Sequence, residues 1–218
     1  MDRYFRGKSG DMSDRLLKAI LLVGPTGSGK TPLGQHLEAE GICGRPCVHF
    51  DFGNALRAAA SNPAGLLTES EFQVVEKVLK EGVLLENEHF SIARKLLFDH
   101  MLKCKATKDT VIILNGLPRH IGQAEAMKFD VNMQAIVSLE CEPVAVWERI
   151  RLNTGGDREG RADDTLEKVA HRLDVFRERT SPLLSHYHAQ CVPVLPLDVG
   201  PKTTAKDMRI IIESKLHL

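Results

Sequence analysis

Near its N-terminus the chain reads Ala19-Ile20-Leu21-Leu22-Val23-Gly24-Pro25-Thr26-Gly27-Ser28-Gly29-Lys30-Thr31. Its first five residues form a short aliphatic run that ends at a glycine, which predicts a fully buried strand of a parallel sheet. The residues after Lys30 favour a helix to about Glu40. When a strand, a glycine-rich turn and a helix follow one another, backbone N–H groups of the turn and of the helix N-terminus point to the same place. An anion is attracted there.

The glycine-rich turn, residues 24–31, matches the pattern G-x-x-x-x-G-K-[ST] without substitution. Its glycines allow the backbone to curl so that N–H groups can point at phosphate oxygens. The Lys30 ammonium would reach the β- and γ-phosphates of a nucleoside triphosphate, and the Thr31 hydroxyl would hold Mg²⁺. The turn is therefore predicted to be a phosphate loop, and its binding residues are Gly24, Gly27, Ser28, Gly29, Lys30 and Thr31.

Further short apolar runs predict four more strands, at residues 46–50, 111–114, 135–139 and 191–195. The segments between them are mostly helical in pattern, and Thr68 to Glu71 form a capping box that would begin one helix. Five strands that alternate with helices predict an α/β fold with a mainly parallel sheet. Pro193 indicates an edge position for the last strand. In such folds a ligand binds at the carboxyl ends of the strands.

The composition is that of an ordinary globular protein. The 218 residues include 43% hydrophobic and 27% charged residues, with 29 basic and 29 acidic side chains. Zero net charge gives no general attraction to nucleic acid or to an anionic membrane, so we expect neither as a partner. Five cysteines without a dense framework indicate reduced thiols in a cytoplasmic protein. Residues 1–15 are predicted to be a mobile extension rather than a signal peptide.

Two later segments resemble the adenylate kinase family of nucleoside monophosphate kinases. Phe52-Gly53-Asn54-Ala55-Leu56-Arg57 resembles the family's T-G-D-L-L-R, and Asn115-Gly116-Leu117-Pro118-Arg119-His120-Ile121-Gly122-Gln123 resembles D-G-[YF]-P-R-x-x-x-Q. The resemblance implies an acceptor site formed by Gly53, Arg57, Gly116, Arg119 and Gln123. The planar fork of an arginine suits a phosphate dianion, and the amide of Gln123 offers a donor and an acceptor to the adenine of AMP.

A third set of segments resembles the family pattern G-R-x-D-D…R-L…T-x-P-L…Y-Y. It comprises residues 160–164, 172–173, 180–183 and 186–187. By this resemblance Arg161 and Arg172 converge on the transferring phosphoryl group, and Arg151 lies on the ATP side at the hinge into a lid. Asp163 and Asp164 would hold the closed lid. From the residues alone, Asp164 is also a helix cap for the segment that starts at Thr165.

The resemblance implies a five-stranded P-loop sheet flanked by helices, a helical flap for the nucleoside monophosphate at about residues 51–85 and a short lid at about residues 152–163. Residues 16–218 would form this single domain. The implied activity is transfer of the γ-phosphoryl group of MgATP to AMP in a monomeric enzyme. Positioning and charge neutralisation suffice for this reaction, so no side-chain nucleophile is assigned.

Four positions depart from the family pattern and leave alternatives open. Asn115 stands where the family carries Asp, and an amide is a poorer partner for a hard dication. Phe52 replaces a Thr near the acceptor base. The family's G-K-G-T is here Gly29-Lys30-Thr31-Pro32. Gly155 stands where short-lid members carry an arginine, for which Arg158 would substitute. The alternatives are a UMP- or CMP-type kinase, a kinase for another small acceptor such as a hydroxy acid, and a non-catalytic nucleotide-binding module.

Overall fold

The computed structural model describes residues 16–62, 65–156 and 166–216, so the predicted N-terminal extension lies outside the described chain. Within these ranges, five strands form one parallel sheet in the order β2-β3-β1-β4-β5. The strands are β1 (Leu17–Val23), β2 (Cys47–Asp51), β3 (Val111–Asn115), β4 (Val131–Glu140) and β5 (Val194–Asp198). The predicted α/β fold with a parallel sheet is confirmed, and β5 lies at the edge as predicted, although Pro193 precedes this strand.

Helices connect the strands on both faces of the sheet. They are α1 (Lys30–Glu40), α2 (Phe52–Ala60), α3 (Glu69–Glu81), α4 (Phe90–Lys103), α5 (Ile121–Met127), α6 (Pro143–Leu152), α7 (Leu166–Val175), α8 (Pro182–Ala189) and α9 (Ala205–Lys215). A π-helical turn, Phe176–Thr180, joins α7 to α8. The predicted capping box at the start of α3 is present, with Thr68 accepting from the Glu71 amide and Glu71 from the Thr68 amide. The short helix α5 was not predicted.

The predicted position of the last strand was wrong by about three residues. Residues 191–195 were expected to form it, but β5 begins at Val194 and ends at Asp198. The N–H groups of Cys191 and Val192 donate to carbonyls at the end of α8, and Cys191 takes a left-handed backbone with φ 60°. These residues therefore close the preceding helix before the chain can extend.

Residues 19–23 of β1 are all apolar because both faces of the sheet are covered there. Ala19, Leu21 and Val23 pack into one hydrophobic layer and Ile20 and Leu22 into the other, each at most 2% exposed. Helices α1 and α9 contribute to the layer that contains Ile20, and α2, α4, α5 and α8 to the opposite one. Alternate side chains of a strand point to opposite faces, so a doubly covered strand is apolar at every position.

The strand order brings the ends of β1, β2 and β3 together. In the sheet register Asn115 pairs with Leu22 on one side and with Asp51 on the other. The turn after β1, the start of α2 and the turn after β3 are therefore neighbours at the carboxyl edge of the sheet, where parallel α/β folds bind ligands. Within the described residues, no helix is both long and apolar enough to cross a membrane.

Candidate active site

The turn after β1 has the backbone that a phosphate-binding loop requires. Gly27 and Gly29 have φ of 82° and 97°, a region that side chains with a Cβ rarely adopt. Gly29 also forms the N-cap of α1 without a side-chain cap, and the first turn of this helix carries no acidic residue. The N-terminal N–H groups and the positive end of the helix dipole are thus available to an anion.

Lys30 lies near the end of the loop, and its side chain turns back across it. Its Nζ donates to the backbone oxygens of Gly24 and Pro25, both at 2.7 Å. The two carbonyls hold the ammonium group over the concave side of the loop, where it lines the central cavity. A cation held beside a row of backbone N–H groups is the arrangement that neutralises polyphosphate charge.

A cavity of about 250 Å³ opens at the carboxyl edge of the sheet. Its wall combines the phosphate loop, the end of β2 with the start of α2, the turn after β3, and α7 with the π-helical turn. Sequence-predicted site residues that line this cavity are Gly24, Gly27, Gly29, Lys30, Thr31, Gly53, Arg57, Gly116, Arg119 and Arg172. Residues from four separate parts of the sequence therefore converge on one site.

Three other predicted residues, Ser28, Gln123 and Arg151, are not among the described residues that line this cavity. Ser28 is fully buried inside the loop. Gln123 is 1% exposed, where its Oε1 accepts from the Arg119 N–H at 2.8 Å and its Nε2 donates to the Leu85 carbonyl at 2.7 Å. Arg151 is exposed on α6 beside Trp147. The predicted lid residues Arg161, Asp163 and Asp164 lie outside the described residues.

Two arginines of the cavity wall repel each other. Burial holds the pKa of the Arg119 guanidinium below its usual value, and the nearby positive charge of Arg172 lowers that pKa further. Both residues line the cavity, together with Arg57 from α2. Like charges gathered in a half-buried wall destabilise the ligand-free protein, and a phosphate dianion between them would remove that cost.

The sequence analysis did not single out Asp51, which lies at the centre of the phosphate-binding edge. Its Oδ2 accepts from the Thr31 hydroxyl and from the Asn115 Nδ2, both at 2.9 Å, and its Oδ1 accepts from the Asn54 N–H at 2.9 Å. Its position at the end of a buried strand was the available signal. The hydroxyl and carboxylate oxygens at this edge are hard ligands of the kind that Mg²⁺ takes in proteins, so the residues present fit that ion.

Arg149 is a second residue that the sequence analysis missed. The residue is 4% exposed, and its guanidinium donates to the Gly27 carbonyl at 3.1 Å, to the Gly200 carbonyl at 2.7 Å and to the Thr203 carbonyl at 3.0 Å. A Cβ added to Gly29 would lie 2.8 Å from its Nη2. Arg149 thus ties the phosphate loop to the segment between β5 and α9.

Replacing Arg149 with methionine is expected to lower the free energy of unfolding by about 2–4 kcal/mol, because three partly buried carbonyls lose a charged donor. The affinity for ATP should fall as well, since the loop would lose its attachment. Chemical denaturation and equilibrium ATP binding would measure the two effects. Arg151→Met, on the exposed side of the same helix, is the matched stability control and should change stability by less than about 0.5 kcal/mol. Equal losses of stability in the two variants would contradict the assigned role of Arg149; their ATP affinities are not compared, because Arg151 is itself proposed to act on the ATP side.

The strand, phosphate loop and helix at the centre of this sheet define a P-loop nucleoside triphosphate-binding protein. A family model described as Adenylate kinase matches residues 22–192, well over half of the chain. The adenylate kinase of Synechococcus sp. (strain RCC307) is 31% identical over 174 residues, which cover 77% of this chain and 83% of the relative. That of Prochlorococcus marinus (strain MIT 9211) is 28% identical over 206 residues, or 91% and 97% of the two chains. The chain belongs to the adenylate kinase family and is a phosphotransferase.

Proposed function

We propose that this chain transfers the γ-phosphoryl group of MgATP to AMP and so forms two molecules of ADP. The observation that carries the proposal is a shared cavity in which the phosphate loop faces Arg57, Arg119 and Arg172. A loop that binds one polyphosphate opposite a cluster that suits a second phosphate is what a kinase for a phosphorylated acceptor needs. Family membership supports the same reaction.

On the donor side, the phosphate loop would hold the β- and γ-phosphates of ATP. The N–H groups at the start of α1 would contact their oxygens, and the Lys30 ammonium would exchange its two carbonyl partners for phosphate. The Thr31 hydroxyl is the proposed protein ligand of Mg²⁺, which when bound withdraws charge from the β- and γ-phosphate oxygens. Arg151 is proposed to act on the same side.

On the acceptor side, Arg119 and Arg172 would hold the AMP phosphate in line with the γ-phosphorus, and Arg57 would contact it from α2. In the transfer an oxygen of the AMP phosphate bonds to the γ-phosphorus while the bond to the β–γ bridging oxygen breaks, so the electron pair leaves with ADP. The arginines lower the repulsion between two anions and stabilise the charge on the transferring group. Arg161 is proposed to join them.

Water must be excluded, because it would otherwise compete with AMP for the γ-phosphoryl group. We assign this task to the lid proposed at about residues 152–163 and to the flap at about residues 51–85, within one domain of residues 16–218. Asp163 and Asp164 would hold the lid closed over the arginines. Closure of such elements is a common way to complete a phosphoryl-transfer site.

The identity of the acceptor base depends on Gln123 and Phe52. To read adenine, the Gln123 amide would have to exchange at least its 2.7 Å bond to the Leu85 carbonyl. Phe52 lines the cavity where family members carry Thr, and only 3% of it is exposed. A larger apolar residue at this place gives a specific reason to keep another nucleoside monophosphate as the second candidate acceptor.

A coupled assay for ADP formation would test the proposal with MgATP and AMP, CMP, UMP, GMP or dTMP as acceptor. We expect strong turnover with AMP. If another nucleoside monophosphate is preferred, the reaction type stands but AMP is not the acceptor. Phe52 would then be the first residue to test for acceptor choice. ATP binding without turnover of any acceptor would show a non-catalytic module and contradict the proposal. A cytoplasmic, monomeric state is part of the proposal, and size-exclusion chromatography would test the monomer.

A further inference from the structure

The described wall of the cavity is strongly positive and contains one carboxylate. Among the described residues that line it, Lys30, Arg57, Arg119 and Arg172 carry positive charge, and Asp51 alone is acidic. A carboxylate beside a polyphosphate site repels the substrate unless a cation lies between them. Asp51 therefore requires an explanation beyond its bond to the Asn54 N–H at the start of α2, since an uncharged residue would cap that helix as well.

The hydrogen bonds around Thr31 show what Asp51 does at this edge. A hydroxyl has one proton to donate and two lone pairs to accept with. The Thr31 proton is directed to Asp51 Oδ2 at 2.9 Å, and one lone pair accepts from Asn115 Nδ2 at 3.0 Å. One lone pair of Thr31 Oγ1 is then left, as a hydroxyl that coordinates a cation requires.

Asn115 supports the same arrangement. Its Nδ2 donates to Asp51 Oδ2 at 2.9 Å as well as to Thr31. An aspartate at position 115, as in the family pattern, would place a second carboxylate against Asp51, and two such charges cannot both ionise without cost. Asn54 likewise carries an amide where the family segment T-G-D-L-L-R carries Asp. The carboxylate of this edge is thus on β2 in this chain.

We infer that Asp51 is the positioning residue for the divalent cation that accompanies ATP: it orients the Thr31 hydroxyl and supplies the negative charge that the amide of Asn115 lacks. The inference rests on the proposed function for the presence of MgATP at the phosphate loop. It also explains why Asn115 is compatible with metal binding although an amide is a poor partner for a dication.

The test measures binding rather than turnover. Mn²⁺ replaces Mg²⁺ as an EPR-visible probe, a non-hydrolysable ATP analogue occupies the donor site, and calorimetry gives the affinity for the analogue with and without metal. Asp51→Asn keeps a helix-capping oxygen but removes the charge. We expect it to weaken Mn²⁺ binding to the protein–analogue complex by about 10-fold or more, the usual effect of losing an outer-sphere partner. Metal-free analogue should bind equally well or more tightly, because one repulsive charge is gone.

Matched variants separate this role from a structural one. Asp109→Asn removes an exposed carboxylate from the loop before β3, at the opposite edge of the sheet, and should change neither affinity. The exchange variant Asp51→Asn/Asn115→Asp moves the charge to the neighbouring strand and should recover most of the Mn²⁺ affinity. If Asp51→Asn is not folded, as judged by circular dichroism, Asp51→Ser serves instead because serine also caps helices.

Equal loss of the metal-bound and metal-free affinities in Asp51→Asn would show a structural role and overturn the inference, as would unchanged Mn²⁺ binding. These outcomes are independent of the acceptor. If the protein phosphorylates AMP but Asp51→Asn binds Mn²⁺ as tightly as the unchanged protein, the inference fails and the proposed function stands. If Asp51→Asn weakens Mn²⁺ binding as expected but the protein phosphorylates no acceptor, the inference stands and the proposed function fails.

Discussion

Lys30→Met is expected to reduce kcat/KM for the ATP-dependent phosphorylation of AMP by about 100- to 1000-fold, the range found when one preorganised charge-stabilising donor is lost. The ammonium of Lys30 lies against the Gly24 and Pro25 carbonyls on the concave side of the phosphate loop. Methionine has a similar length but brings no charge, so the developing negative charge on the β- and γ-phosphates would lose its nearest side-chain cation. Steady-state kinetics would measure the loss.

The control for this variant is Lys108→Met, an exposed lysine in the loop before β3, which should retain full activity. Circular dichroism and thermal unfolding would show that both variants are folded. A Lys30→Met protein that kept more than about a tenth of the activity would show that the backbone N–H groups and the metal ion suffice, and the role given to Lys30 would be wrong.

Arg119→Met is expected to act in opposite directions on activity and on stability. The KM for AMP should rise and kcat/KM fall by about 100-fold or more, because the acceptor phosphate loses a buried cation. The ligand-free protein should be equally or more stable, since the charge of Arg119 is both desolvated and repelled by Arg172. Kinetics with varied AMP, and thermal unfolding with and without AMP, would measure the two effects.

The sign of the stability change follows from the pKa of Arg119. A base whose pKa is lower in the folded protein than in the unfolded chain opposes folding wherever it is protonated, which for arginine covers the whole neutral range. Arg177→Met, an exposed arginine paired with Asp174, is the control and should alter neither property. An Arg119→Met protein with an unchanged KM for AMP would place Arg119 outside the acceptor site.

The sequence does not show which of two arginines on α6, Arg149 or Arg151, contacts the phosphate loop. The resemblance selected Arg151, and the residue that holds the phosphate loop in the structure is Arg149. The two residues are two positions apart on α6, and such positions face roughly opposite sides of a helix. Because both are arginines, only the packing of α6 against the loop and the segment before α9 shows which one is buried.

Local patterns in the sequence determined the strand β1, the phosphate loop, the capping box of α3 and the parallel α/β architecture. These features depend on neighbouring residues, on hydrophobic periodicity and on the backbone freedom of a few glycines, all of which can be read along the chain. The phosphate loop predicted Lys30, whereas the resemblance to the family selected Arg57, Arg119 and Arg172, and the cavity brings these four side chains together.

The tertiary structure alone decided how the phosphate-binding edge is completed. Thr31 and Asp51 are 20 residues apart in sequence, and Asp51 and Asn115 are 64 apart, yet their side chains form one hydrogen-bonded group. That group exists because β3 lies between β1 and β2 in a fixed register, which pairs Asp51 with Asn115. Strand order and register result from packing across the whole sheet, so the end of the second predicted strand marks Asp51 as a candidate but does not by itself place this carboxylate beside the phosphate loop.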